Sequence, residues 1–299
     1  MKIAAVTIYC NERFRAEAWR RYYGEYKDDL YLHVIVNNGD PAETEFLQEL
    51  FPESLILYSP TRNMMASYNL ALRKILEYPE VDAIAQIVND IRLSPGGFSA
   101  LYAYLSGDER LAMVSPVLLR KDSDLIDCYG CEIDGRNLDF IHLDAGRDWK
   151  DVPEETRFVS GLPAGIFLAR RSLYEQFGFQ DEKLEMYADE VDMGIRVARL
   201  GYRLGATRRV RAWHQHVNPG GKGQRNPYAG FLMGRNHVYI AGKYGPGSKV
   251  RRVFARRVFL GLDEIRSALM HGKDRSVYRI GWNMVKGAFA GLHMDKTGE

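Results

Sequence analysis

Four short runs concentrate the side chains able to move protons or hold ions: Asn37-Asn38-Gly39-Asp40, Asn89-Asp90, Asp189-Glu190-Val191-Asp192 and His214-Gln215-His216. Asp189 and Glu190 open a stretch with helical spacing. The free N–H groups and dipole of a first turn favour ionised carboxylates, and an ionised carboxylate can take a proton from a hydroxyl. Asp90 offers oxygen, and His214 or His216 offers imidazole nitrogen. Such a set can hold a divalent cation against a diphosphate, with ligand oxygens and water filling the other positions. The same residue types also cap helices, solvate loops and fill cores, so each run alone is open between the two readings. Their shared placement after β-rich runs is the stronger signal.

Of three cysteines, only Cys128 and Cys131 form a C-x-x-C, and no second pair completes a zinc site. Cys128-Tyr129-Gly130-Cys131 therefore reads as reduced thiols in a turn, because cytosolic proteins seldom keep disulfides.

The elements that must position these runs alternate in the first half between short β-rich and longer helical patterns, the signature of βαβ units and a parallel sheet. Strands are expected at residues 2–8, 31–36, 54–58, 83–88 and 111–117, each ending where Asn, Gly, Pro or Asp begins a loop. Ligands in such sheets bind beyond the carboxyl ends of the strands, which directs attention to residues 9–13, 37–40, 62–63 and 89–92. Residues 118–156 read as a hairpin-like excursion plus a loop. Helical spacing returns at 171–177 and 189–200, where Val191, Ile195 and Ala198 share a face and Gly201 supplies the stop. A strand ending near His214 follows, then a breaker-rich run at 218–227 that reads as a mobile loop, then helix to the end.

The 299 residues can bury one sizeable α/β core plus an appendage. A hydrophobic fraction of 46% with 27% charged residues excludes disordered and fibrous classes. No run approaches a membrane span, and the N-terminus reads as a strand rather than a signal peptide, so a cytoplasmic location is expected. The net charge of +2 hides an asymmetry: residues 249–299 hold eleven Lys/Arg against five Asp/Glu, leaving −4 on the first 248. A basic tail suggests an anionic partner. Residues 249–262 place Val250, Val253, Phe254, Val258, Leu260 and Leu262 on an apolar arc opposite Lys249, Arg252 and Arg256, with Arg257 inside the arc. That pattern fits an interfacial helix or a helix packed on the body with a solvated basic face.

Val88-Asn89-Asp90, then residues 161–167, then the unbroken run from Phe179 through Asp189-Glu190-Val191-Asp192 to Arg196, then Gly201-Tyr202 and His214, together resemble glycosyltransferase family 2, of the rhamnosyltransferase-like kind. The resemblance covers roughly the first 240 residues. It implies a GT-A type, Rossmann-like α/β fold: a mixed, mostly parallel sheet flanked by helices, with a C-terminal helical appendage. The corresponding domains are 1–225, carrying catalysis, and 226–299, a basic helical segment.

By this resemblance Glu190 is the catalytic base with Asp189 preceding it, in the reverse of the family's usual Glu-Asp order. Asp90 keeps the last acid of the D-x-D metal motif, while Val88 replaces the first, and His214 matches the histidine that completes the metal site. Tyr9, Asn11, Glu12, Asn37, Asn38, Arg62, Asn69 and Asn89 fall on nucleotide-sugar-binding positions. Gly161, Pro163, Gly165 and Asp192 fall on the acceptor side, and the 218–227 loop corresponds to a lid. The implied reaction is an inverting transfer from a UDP-, dTDP- or GDP-sugar to a hydroxyl of a glycan or lipid-linked glycan, with Mn²⁺ or Mg²⁺. A lipid-linked acceptor would bring the basic tail to an anionic membrane surface.

The replacements at Asn37 and Val88 motivate one rival, a nucleotide-sugar- or glycan-binding protein that has lost catalysis. A sugar-nucleotide-forming nucleotidyltransferase would need a Gly-rich loop after the first strand, and a Walker-type NTPase its G-x-x-x-x-G-K-[ST]; neither occurs. A nucleic acid is not expected as a partner, because the basic tail lacks interleaved aromatics.

Overall fold

The computed structural model describes residues 1–215, 226–272 and 275–295. Among the described residues twelve strands run in chain order: β1 (Ile3–Tyr9), β2 (Leu32–Asn37), β3 (Leu55–Tyr58), β4 (Ala83–Ile87), β5 (Ile91–Leu93), β6 (Leu111–Arg120), β7 (Ile126–Cys128), β8 (Cys131–Ile133), β9 (Phe140–His142), β10 (Arg157–Val159), β11 (Ile166–Arg170) and β12 (Arg203–His214). The helices are α1 (Ala16–Tyr26), α2 (Glu43–Leu50), α3 (Met64–Leu76), α4 (Gly97–Gly107), α5 (Arg171–Phe177), α6 (Asp189–Arg199), α7 (Pro227–Tyr244), α8 (Gly247–Met270) and α9 (Arg275–His293). Among the described residues these group into two compact units. One takes 1–132, 141–182 and 193–215; the other takes 133–140, 183–192 and the helical residues from 226.

The first unit is built on a ten-stranded mixed sheet with the backbone order β10-β12-β6-β11-β4-β1-β2-β3. β3, β2, β1 and β4 run parallel, and β11 enters antiparallel between β4 and β6. β1 is buried along its whole length and β2 nearly so, as expected of parallel strands covered on both faces. Trp19 and Tyr23 of α1 seal one face against Phe51 and His33. His33 is fully enclosed between the hydroxyls of Thr7 and Ser54, and burial pulls its pKa down to about 3, so it is a neutral core residue.

Two features of the sheet set up the site. β12 slips register between Thr207 and Arg211 where it passes Pro116 of β6, a residue with no N–H to give the ladder. Beyond that irregularity β12 continues to His214 and pairs with β5, bringing His214 opposite Ile91. Asp90 immediately precedes that strand.

In the second unit, α7, α8 and α9 pack through small residues. A Cβ on Gly287 would lie 2.0 Å from the Phe231 carbonyl oxygen, and one on Gly261 would lie 2.6 Å from that of Gly281. Backbones therefore meet directly at these crossings. α8 turns Val253, Arg257, Gly261 and Ala268 inward. Arg257, which looked like a flaw in the apolar arc, is 3% exposed and pairs with Asp139. The arc is therefore split: Val253 belongs to the packed face while Leu262 is exposed, as is Phe259, which lies outside the arc. No helix among the described residues is long and apolar enough to cross a membrane.

Candidate active site

A chain of polar contacts crosses the carboxyl end of the sheet in the first unit. The Asn89 amide donates to Glu12 and accepts from Arg15 at 3.2 Å. Arg15 also pairs with Glu12 at 3.3 Å and with Asp90 Oδ2 at 3.2 Å. The other Asp90 oxygen lies 3.4 Å from His214 Nε2, and His214 Nδ1 lies 3.6 Å from Asp127 on β7. Burial pulls the His214 imidazolium down, but Asp127 and Asp90 outweigh it and hold the pKa up at about 9. Burial raises Glu12 despite the opposing effects of Asn89 and Arg15.

Asp90 oxygen and His214 nitrogen face one another at a separation that suits two ligands of one small cation, and their donor types suit Mn²⁺. Asp127 on the far side of the ring would fix its tautomer, as carboxylates behind metal-bound imidazoles do. The group fits. Its entry would displace the Arg15 contact from Asp90 and the proton from His214. His216, the other histidine of that run, and the loop expected at 218–227 fall on or within 216–225, outside the described residues apart from 226 and 227. Asn226 and Pro227 are the cap and first residue of α7.

The neighbouring loops are braced by asparagines. Asn11 adopts φ 54° and its side chain accepts from Asp40 N at 2.7 Å. Gly39 lies so close to it that a Cβ would fall 2.1 Å from Asn11 Oδ1. Asn37 donates to the Asp40 carbonyl and Thr44, and Asn38 to the Thr61 carbonyl and Ser67. Both asparagines are buried. Asn69 exchanges hydrogen bonds with the Gln180 backbone and also donates to Glu182. Tyr9 is buried and donates to Glu43. Arg62, by contrast, is exposed at the carboxyl end of the sheet, beside the cap residue Asn63 of α3.

The acid pair lies in the second unit. Burial pushes Asp189 up to about 6, and burial together with the Asp189 charge pushes Glu190 well above the usual carboxylate range. The two side chains hydrogen-bond one another, which is the arrangement of two acids that retain a proton between them. The loop before them is strained: Glu185, Tyr187 and Ala188 all have φ near +60° without being glycine. Sequence spacing gave no sign of what holds it. Asn236 of α7 donates to the carbonyls of Leu184, Met186 and Tyr187, each at 2.8 Å, and Arg235 pairs with Glu185 and donates to the carbonyls of Lys183 and Leu184. Asp192 is 1% exposed and takes hydrogen bonds from Lys243 and Tyr244.

Gly161 exchanges both backbone hydrogen bonds with Cys131 at 3.0 Å, and Pro163 is buried two residues on. The Gly165 carbonyl accepts from Val88 N, and a Cβ at Gly165 would approach Ile91 to 2.9 Å. Gly165 thus lies against the Val88-Asn89-Asp90 turn, while Gly161 at the other end of the segment is held by Cys131. Arg15, Asp127 and Asn236 were all missed from sequence. Asp127 had no local signal, because only the pairing of β7 with β6 brings it near His214.

Solved structures give this architecture its class. The chain is similar to GalNAc-T7 with UDP, GalNAc and Mn²⁺ (TM-score 0.65, 12% identity, covering 95% of this chain and 55% of that one). It is also similar to the mannosyltransferase PcManGT from Pyrobaculum calidifontis in complex with GDP-Man and Mn²⁺ (TM-score 0.58, 13% identity, covering 98% and 87%). The fold is of the GT-A type found in these glycosyltransferases. This chain spans about half the length of GalNAc-T7. No family model and no curated protein sequence matches it.

Proposed function

We propose that the chain is an inverting glycosyltransferase of the family 2, rhamnosyltransferase-like kind. It would move one sugar from a nucleoside diphosphate to a hydroxyl of a glycan, with lipid-linked glycans as the favoured acceptor class. The observation that carries this reading is the approach of Asp90 to His214 at 3.4 Å, at the carboxyl end of a GT-A type sheet. The neighbours' printed ligands, UDP or GDP-Man with Mn²⁺, support a nucleotide-sugar donor and a divalent cation.

Asp90 and His214 would hold that cation, Mn²⁺ or Mg²⁺. When bound it would stabilise negative charge on the departing diphosphate. Arg15, displaced from Asp90, and the exposed Arg62 provide further positive charge for the phosphates. The Asp189–Glu190 pair supplies the base. Glu190 accepts the acceptor hydroxyl's proton once the pair has lost the proton it shares, and general-base catalysis of this kind contributes about 10²–10⁴-fold. The basic segment 226–299 is proposed as a peripheral contact to an anionic membrane, supported by its charge and by exposed Phe259, Leu262 and Trp282.

The test is nucleoside diphosphate release from a panel of UDP-, dTDP- and GDP-sugars, with Mn²⁺, Mg²⁺ or EDTA, for wild type and Glu190→Gln. Slow hydrolysis of one donor, lost with EDTA and reduced at least about 100-fold in the variant, is expected. Donor binding by calorimetry without release, for every donor and with candidate acceptors added, would instead favour the rival non-catalytic binding protein.

A further inference from the structure

A second cluster in the first unit joins none of the chemistry above. Cys128 ends β7 and Cys131 begins β8, both fully buried, with their Sγ atoms 3.2 Å apart. The turn between them requires Gly130: its φ is +74°, and a Cβ there would fall 2.6 Å from Val159 Cγ1. This bend aims the two sulfurs the same way. β8 pairs with β9, and the backbone of Leu143 exchanges hydrogen bonds with Tyr129 and Gly130. That pairing returns His142 to the turn, so that one ligand atom from each of Cys128, Cys131 and His142 lies within 4.8 Å of the others.

The geometry points to a zinc site at Cys128, Cys131 and His142, separate from the proposed catalytic cation and structural in purpose. Two thiolates and an imidazole are the borderline-soft donors that Zn²⁺ prefers, and C-x-x-C with a more distant histidine is a common spacing for it. Zinc bonds of about 2.3 Å to sulfur and about 2.0 Å to nitrogen place tetrahedral ligands roughly 3.5–3.8 Å apart, so the sulfurs and the ring need shift by only about 1 Å. Water takes the fourth position on the exposed His142 side. Cys131 also lines a cavity of about 440 Å³ with Ser160 and Tyr202. Binding releases the two thiol protons to solvent and changes no oxidation state.

The consequence falls on residues 161–165. Cys131 exchanges both backbone hydrogen bonds with Gly161, so a metal that fixes the Cys turn also fixes the start of the segment that contacts Val88. The role is that of a clamp.

Metal content and Co²⁺ substitution test the site. The full chain, freed of metal with a chelator under reducing conditions and titrated with Co²⁺, should develop a thiolate-to-cobalt charge-transfer band and tetrahedral d–d bands at one equivalent. A cation held by Asp90 and His214 has no sulfur ligand and gives no such band, so Asp90→Asn should retain it. The exposed His142→Ala should keep the fold by circular dichroism and lose the tetrahedral d–d pattern, and Cys128→Ser with Cys131→Ser should abolish the charge-transfer band. In the Asp90→Asn background, which lacks the other proposed cation site, chelation should lower the Tm and should leave it unchanged once the two cysteines are also replaced. A wild-type chain that shows no charge-transfer band, or whose two thiols are recovered as a metal-free Cys128–Cys131 disulfide after purification with zinc present, would overturn the assignment.

Discussion

At the scale of single residues, three of the asparagines expected to meet the donor are already engaged by the protein itself. Asn37, Asn38 and Asn69 read from sequence as candidate donor contacts, yet each gives amide hydrogens to the protein's own loops. Their type was legible; their orientation depends on Thr44, Ser67 and Gln180, which no local spacing reveals. The acid pair is different, because its chemistry follows from burial. With Asp189 raised to about 6 and Glu190 higher, the pair holds both protons in acid and begins to lose them near neutrality. A raised acid is a base only above its pKa, so kcat/KM for transfer should rise with pH above about 6, as the pair gives up the proton that Glu190 holds beyond Asp189's titration. Asp189→Asn removes the neighbouring charge that helps hold Glu190 up, so the rising limb should move to lower pH. A pH–rate profile of the two proteins reads this directly, and an unmoved limb would assign the titration to another group.

At the scale of elements, the longer pieces were legible and the shortest were not. The five strands expected between residues 2 and 117 form, as do the helices at 171–177 and from 189, because their periodicity and breakers are local properties. The three-residue strands β7, β8 and β9 carry no such signal, and with them Asp127 and the return of His142 were hidden. Arg257 looked misplaced on its helix because its partner Asp139 lies over a hundred residues away in sequence. The strained turn before α6 was hidden for the same reason, since its restraint comes from α7. Asn236→Leu would strip donors from three carbonyls and is expected to cost roughly 1–3 kcal/mol. Activity should fall by more than folding loss explains at temperatures where the variant is still native. Gly287→Ala should cost a similar amount, roughly 1–3 kcal/mol, by forcing α7 and α9 apart, because its new Cβ meets backbone rather than a movable side chain. Chemical unfolding of both variants, with circular dichroism as the readout, gives the comparison.

At the scale of the whole molecule, buried titratable groups pull stability in opposite directions, and the balance is measurable. His33 and His237 both have pKa values lowered to about 3 by burial, against an ordinary value of 6.5. Between those limits the unfolded chain binds protons that the native chain does not, so stability falls as pH drops through the window. The slope reaches about 1.4 kcal/mol per pH unit for each histidine. The acid pair has the reverse sign. Its native pKa values lie above the unfolded carboxylate range, so from about pH 4 to 6 the native state binds the extra protons and gains stability on acidification. In wild type the two effects offset one another over that interval, and the histidines act alone below it. Replacing both acids, Asp189→Asn with Glu190→Gln, removes the offset and also the penalty of holding two carboxyls out of water. The double variant is therefore expected to be more stable than wild type at pH 8, to lose stability more steeply between pH 6 and 4, and to be inactive in transfer. Urea unfolding midpoints across that range decide the matter: equal slopes for the two proteins would mean that the pair ionises in the native state as it does in the unfolded chain, and that burial does not raise its pKa values.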